Sequence, residues 1–536
     1  MSKETASDYK WVILATAVIV ALTCVPYLFG VSVAPPGYRF LGLTHNIDDG
    51  AVYLSWIRQA ADGHVLIRNQ FTNEPQPGGS FNVLFLAMGG FACLTHLSCI
   101  DAYHVFRILL GIGLLFAIFK FSGLFISDRR ARLLLVPLVG LSSGIGWLIP
   151  GAGFPIGPVD VWQPEAITFL SIYLNPLFIA GLLLMLGSLH YLVLMERTGR
   201  ARHAVTAGLF LLVLGNVHTY DVLTVACVWT AYVATRAILQ RTINWRGAAL
   251  SMLACIVALP SLAYQFHIYQ ADAIFRARAN TVIASPPITS YFAGYGLILL
   301  TAIAGAVMLF VEQRRAQDRN DGLRYPFLLP VVWSVVGFAI PYIPMAQQRK
   351  LIMGLHIPLC ILAAVVIARL GAKLKPVIAT GLGCILLLVL FQTNSEFLSL
   401  DMALLCDGRT VVATTLPYMS ADQLRAMDYI SSNSGPNQST LADAQLSAFL
   451  PAYADRPVYC GHWSETPEYG RKLAVFGALI KPSVPPALKR ALLLETNCDF
   501  VILEFREELD GLGDPSQLGL TRCAKYGEVS IFWISR

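Results

Sequence analysis

The feature that most constrains this chain is a succession of apolar runs, each about 20 residues long and nearly free of charge. A helix of that length covers the ~30 Å hydrocarbon core of a bilayer, and in lipid the backbone N–H and C=O groups must be paired internally, which such a helix achieves by itself. The runs fall at 11–31, 104–126, 131–150, 170–195, 203–218, 220–236, 247–266, 291–311, 327–344, 351–369 and 376–394, which predicts eleven spans. Composition agrees, with 56% of the 536 residues hydrophobic and 13% charged, against roughly 25% charged in a typical soluble domain. An ordinary soluble enzyme is excluded. The first run is too long for the apolar core of a signal peptide and has no convincing cleavage site after it, so it reads as an anchor.

Charge divides the chain in two. Residues 1–394 hold 27 Lys and Arg against 16 Asp and Glu, whereas residues 395–536 hold 12 against 17. The first part reads as a polytopic α-helical membrane domain (1–394) with a long first outer loop (32–103). The second (395–536) reads as a C-terminal extracytoplasmic α/β or α+β domain, with strand-like runs at 500–503 and 529–534 and a helical stretch at 421–430. The positive excess lies between apolar runs, where it reports topology, and no basic patch interleaved with aromatics points to nucleic acid. The 11 cysteines form no CxxC motif or zinc spacing. Cys406, Cys460, Cys498 and Cys523 lie in the polar tail, where a disulfide stays open.

Two segments set the parity of the spans. Residues 203–236 are preceded by Arg197, Arg200 and Arg202 and followed by Arg236, Arg241 and Arg246, so a hairpin turning at 216–221 keeps both ends cytoplasmic. Residues 81–98 are apolar but short, and counting them as a span would put Arg129, Arg130 and Arg132 outside; they read as an interfacial helix. With the N-terminus cytoplasmic, 18 basic residues fall inside, among them Lys3, Lys10, Arg314, Arg315, Arg319, Arg324, Arg369, Lys373 and Lys375. Seven fall outside: Arg39, Arg58, Arg68, Arg276, Arg278, Arg349 and Lys350. The odd number of spans then sends the tail outside.

The predicted outer face carries nine of the 16 acids that precede the tail: Asp48, Asp49, Asp62, Glu74, Asp101, Asp160, Glu165, Asp221 and Asp272. Exposed acids are common, but the first outer loop is far longer than the ~2–8 residues a helix connection needs. In that loop Asp48-Asp49-Gly50 opens a helical pattern with Val52, Trp56 and Ala60 on one side and Gly63 at its end. An Asp there is expected first as an N-cap. Adjacent carboxylates repel, so the pair also implies that one of them meets a cation or a proton.

The order of a short cytoplasmic head, a span, an acidic motif followed by Tyr53, a helix ending in Gly63, a turn with Pro75 and Pro77, the helix at 81–98 and a span opening with Arg107 resembles the GT-C class of membrane glycosyltransferases. It is most similar to the protein O-mannosyltransferase and aminoarabinose-transferase branch. The resemblance covers the first 130 residues best and extends by topology to about 394. It departs from the family in two places. Tyr53 lies four residues after Asp49, which sets Gly50 where the family has Glu and leaves Asp48 as an extra acid. Gln76-Pro77-Gly78-Gly79 replaces the Pro-Pro turn, so acceptor and branch do not carry over, and the Trp-Trp-Asp signature of oligosaccharyltransferases is missing.

The resemblance implies inverting transfer of a sugar from a polyprenyl-phosphate-linked donor to a glycan, lipid or protein acceptor at the outer face of the bilayer. Such a reaction needs a carboxylate base and cations on the leaving phosphate. Asp49 or Asp48 would be the base. Gln348, Arg349 and Lys350 would hold the donor phosphate, Arg being suited to bidentate contact, although the same residues suit an interfacial anchor. Tyr53, Glu74, Glu165, His218, Tyr220, Asp221, Arg276 and Arg278 are candidates for a substrate cavity. The last two equally suit phospholipid headgroups, and His218 with Asp221 equally suits a self-satisfied buried turn. His356 reads as a packed polar residue, and residues 459–466, with one Gly, His462 and one Trp, as a turn and core. No cofactor is implied, and a divalent metal stays open. A transporter or flippase of a lipid-linked saccharide is the rival reading, against which no internal repeat is found; a catalytically silent relative binding a cell-envelope partner is the third.

Overall fold

Helices dominate wherever the apolar runs were read, as lipid exposure requires. The computed structural model describes residues 5–76, 78–151, 153–316, 326–409 and 416–536. Pro77 of the first-loop turn, and Lys3, Arg319 and Arg324 of the charge count, lie outside the described residues. The chain forms two compact units. One takes the chain up to Val25 with Val105–Phe266 and Val282–Ser399; the other takes Pro26–His104, His267–Thr281 and Leu400–Arg536.

Among the described residues eight helices are long and apolar enough to cross a membrane, and three apolar helices are shorter: Val83–Thr95, Ala201–Val217 and Leu328–Tyr342. The chain is a multi-pass membrane protein. The hairpin expected at 216–221 is present, with helices Ala201–Val217 and Tyr220–Gln240 meeting at His218 and Thr219. The expected span at 170–195 is instead two helices, Thr168–Leu174 and Pro176–Thr198. Pro176 has no N–H to continue the first helix, and the Asn175 side chain accepts from Leu177 N at 2.9 Å to start the second.

The run at 131–150 is also corrected. Its helix, Arg129–Leu141, covers 13 residues and gives way to a loop with short 3-10 turns at Gly146–Leu148, Val159–Val161 and Pro164–Ala166. Gly144 lies against the backbone of Ala293 and Gly294, where a Cβ would come within 2.4 Å. The buried Asp160 carboxylate accepts from Gly144 N (2.9 Å) and Gly146 N (3.2 Å). A side-chain acceptor thus takes backbone donors that a continuing helix would have used.

The second unit holds the sheets. Tyr38–Phe40 pairs antiparallel with Tyr418–Ser420. A four-stranded sheet runs in the order Thr440–Leu441, Phe500–Leu503, Val529–Ile534, Leu520–Tyr526; its first pair is parallel and the others antiparallel. The sheet and helices Tyr469–Leu479 and Pro486–Glu495 bury a core that includes Leu441, Phe476, Leu493, Val501 and Phe532. Helix Ala421–Asn433 opens with a capping box between Ser420 and Gln423. From the first loop, helix Ile47–Ala61 packs on Val83–Thr95 and on Ala444–Ala454. Gly89 permits the first contact, since a Cβ there would stand 2.4 Å from Ala60 Cβ. None of the 11 cysteines forms a disulfide.

Glu504, just past strand Phe500–Leu503, is 4% exposed and accepts from Gln423 Nε2 at 2.9 Å. Burial, reinforced by the neighbouring Asp443 carboxylate, pushes its carboxyl from the ordinary 4.5 up to about 9. A group with a raised folded pKa contributes stability that is fully present below the unfolded value and is lost as pH rises through the folded one. Glu504→Gln is neutral throughout, so its melting temperature should exceed that of the wild type by roughly 3 °C or more at pH 8, with the gap closing at pH 5. A thermal melt of the full chain in detergent at both pH values checks this; equal gaps at both would count against a buried protonated Glu504.

Candidate active site

Helix Ile47–Ala61 begins one residue before the acidic pair. Ile47 is fully buried and starts the apolar stripe continued by Ala51, Leu54 and Ile57, which draws the helix start back to it. The N-cap is Asn46, at φ 46° and ψ 50° with no side-chain capping bond, so the expected Asp cap is corrected. Asp48 and Asp49 instead occupy the first turn, where the helix dipole favours negative charge. Gly63, at φ +93°, follows the helix end as expected. Tyr53 and Trp56 continue the Asp49 side of the helix and pack with Phe85, centroids 5.6 Å and 4.9 Å away.

What answers the repulsion of the pair is His462. Its Nε2 lies 3.5 Å from Asp48 Oδ2 and 3.4 Å from Asp49 Oδ1; its side chain is 1% exposed, against 13% for Asp48 and 46% for Asp49. Adjacent ionised carboxylates repel, and a cationic ring beside them offsets this. Burial works against the imidazolium, but the facing carboxylates of Asp48 and Asp49 more than offset it and the ring is pushed up to about 9. His462 Nδ1 lies 3.2 Å from both Ser464 N and Ser464 Oγ, the first a donor to the neutral ring and the second an acceptor for the charged one. Residues 459–466 read from sequence chiefly as a turn and a core; a lone His carries no local sign of a partner over 400 positions away.

Other members of the expected cavity are engaged in this unit. Glu74 Oε1 accepts from Lys472 Nζ at 2.6 Å, and Lys472, 3% exposed, also donates to Thr72 Oγ1 at 3.0 Å. Arg278 Nε pairs with Glu465 Oε1 at 2.8 Å, and its guanidinium lies 4.8 Å over the Trp56 ring. Arg276 donates to the carbonyls of Tyr269 and Gln270 at the end of its preceding helix.

The remaining candidates lie in the first unit. The 3-10 turn Gln348–Ile352 packs on Pro164–Ala166 and on helix Tyr220–Gln240. The Arg349 guanidinium stands 5.3 Å from the Trp162 ring and 5.9 Å from that of Phe154, and its buried Nε has no hydrogen-bond partner among the described residues. Lys350 Nζ is 5.3 Å over the Tyr220 ring. His218 Nδ1 lies 3.1 Å from Asp221 Oδ2, with Asp221 fully buried, and Glu165 is 7% exposed. The Gln348 amide lies between Ile343 O and Ser285 N, at 3.1 and 3.2 Å, so it serves the loop. Arg107 is 1% exposed and donates to Thr23 Oγ1 and Ile172 O, at 3.0 and 3.1 Å. His356 is buried, its ring nitrogens 3.0 Å from Ser142 Oγ and 3.1 Å from Thr168 Oγ1. Among the described residues no group of three or more His, Cys, Asp and Glu is placed to hold a metal ion.

The fold is GT-C-like. It is similar to the oligosaccharyltransferase of Archaeoglobus fulgidus in its apo form (9% identity, TM-score 0.56, covering 97% of this chain and 74% of that one). It is also similar to the same organism's oligosaccharyltransferase AglB in complex with an inhibitory peptide and a dolichol-phosphate (10% identity, TM-score 0.56, covering 99% and 75%). ArnT from Cupriavidus metallidurans bound to undecaprenyl phosphate matches over nearly the full length of both chains (14% identity, TM-score 0.53, covering 96% and 97%). No protein-family model and no curated protein matches the chain.

Proposed function

We propose that this protein is an inverting glycosyltransferase that moves a sugar from a polyprenyl-phosphate-linked donor to an acceptor at the extracytoplasmic face of a bacterial inner membrane. The observation that carries the reading is the acidic pair in the first turn of helix Ile47–Ala61, with one member about half exposed and the other mostly covered beside a buried histidine. The GT-C-like fold supports it. Asp49, the more exposed acid, takes the proton of the acceptor hydroxyl as its oxygen bonds to the anomeric carbon. The bond from that carbon to the phosphate oxygen breaks, and the leaving phosphate keeps the electron pair. Arg349, with a buried donor and an aromatic pair beside it, and Lys350 supply the cations for that phosphate. Transfer from synthetic polyprenyl-phosphate sugars by the purified chain tests the reading; absence of transfer from any such donor, with the protein folded, overturns it.

The proposed topology places the N-terminus inside and the tail outside, on the strength of the 18 to 7 bias in basic residues. Alkaline phosphatase fused after Arg536 is expected to be active. An inactive fusion, with a cytoplasmic reporter active at the same position, would reverse the orientation.

A further inference from the structure

A base needs one carboxylate, yet here two adjacent acids share a buried imidazole. With a side chain 1% exposed, His462 is covered by the protein and is not placed to meet an acceptor. The ring is oriented from behind. In the neutral ring Nδ1 accepts from Ser464 N at 3.2 Å, which leaves the proton on Nε2, and in the charged ring Nδ1–H has Ser464 Oγ at 3.2 Å as its acceptor; in both states Nε2–H is the side that faces the carboxylates. The turn around it is tied down as well. Thr466 Oγ1 accepts from Gly461 N and His462 N, at 3.1 and 3.2 Å, and donates to Phe71 O at 2.6 Å. Asn69 Nδ2 donates to Glu465 O at 2.8 Å. The charged groups facing the ring are Asp48 and Asp49, while Glu465, three positions on, is paired with Arg278.

We infer that His462 is the positioning residue of the carboxylate pair: it presents Nε2–H to Asp48 and Asp49, holds the two acids side by side at the helix start, and fixes Asp49 where it meets the acceptor. The C-terminal segment thereby completes the acid site instead of forming an appended module. The inference rests on the glycosyl-transfer reading for its consequence, though not for its geometry.

Two arms test it. In the first, the full chain, labelled at its ten histidines, is titrated in detergent by nitrogen NMR. One ring, missing in His462→Gln, should stay protonated to about pH 9 and lose that elevation when Asp48→Asn and Asp49→Asn are combined. No ring titrating above pH 8, or an elevation that survives the double substitution, overturns the inference. In the second arm, His462→Ala should lower kcat roughly 10-fold at unchanged donor KM, and His462→Gln, which retains an N–H, should recover part of the loss. Wild-type kcat in His462→Ala would overturn the role. The first arm needs no turnover, so a chain without transferase activity refutes the proposed function while the titration still decides the pairing.

Discussion

Asp49→Asn is expected to lower sugar transfer by at least ~100-fold, the lower range for removing a general base, with membrane insertion and thermal stability close to those of the wild type. The substitution keeps size and shape. Asp49 sits inside the first helical turn and not at the cap, so the structural loss is limited to a favourable dipole contact of about 0.3–1 kcal/mol and to one of the two carboxylates facing His462. Asp48 stays beside the ring at 3.5 Å. In the proposed reaction the greater exposure of Asp49, 46% against 13%, gives an acceptor readier access to it, and Asp48→Asn should therefore cost less. Turnover of each purified variant, set beside its melting temperature, separates catalysis from folding. If both variants keep near-normal rates, the base lies elsewhere, and Asp221 and Glu165, both buried in the other unit, are next to test.

Arg349→Ala is expected to weaken donor affinity by about 10- to 100-fold, which corresponds to the ~1.5–3 kcal/mol of a hydrogen bond to a charged group. The guanidinium stands over the paired rings of Phe154 and Trp162 while its Nε has no hydrogen-bond partner among the described residues, an arrangement that leaves a desolvated donor for an anion. Its backbone is held independently, with Gln163 Nε2 donating to Arg349 O at 3.3 Å, so the turn should survive loss of the side chain. Lys350→Ala should matter less, because an ammonium is a point charge without the fork of a guanidinium. Equilibrium binding of a polyprenyl-phosphate sugar to each variant is the measurement. Unchanged affinity in Arg349→Ala, with normal expression, would reassign this residue to anchoring at the membrane surface.

Much of the architecture was legible without coordinates because its causes are local. Apolar runs of about 20 residues have one stable form in lipid, and the His218–Thr219 break between two of them followed from the arginines on either side. The strands at 500–503 and 529–534 announced themselves as short β-branched and aromatic runs. Reading failed where a neighbour distant in sequence intervened. The run at 131–150 is apolar enough for a span, but Gly144 is pressed against Ala293 and Gly294 and its N–H is taken by Asp160. The partner of Glu74, a buried lysine nearly 400 positions away, was likewise beyond any window of sequence.

The sequence by itself determined that this chain crosses a membrane several times, that an acidic pair opens a helix in its first long loop, and that a mixed helical and stranded segment follows the last apolar run. These are matters of hydrophobic period, run length and charge sign, all properties of a short window. Only the tertiary structure decided that Pro26–His104, His267–Thr281 and Leu400–Arg536 make one compact unit, that Ile47 starts the helix, and that His462 meets Asp48 and Asp49. A window of sequence shows which side chains need burial or a counter-charge. It does not show which partner arrives, because an ion pair forms between groups brought within about 4 Å by the whole fold, and those two acids and their histidine are joined only by folding.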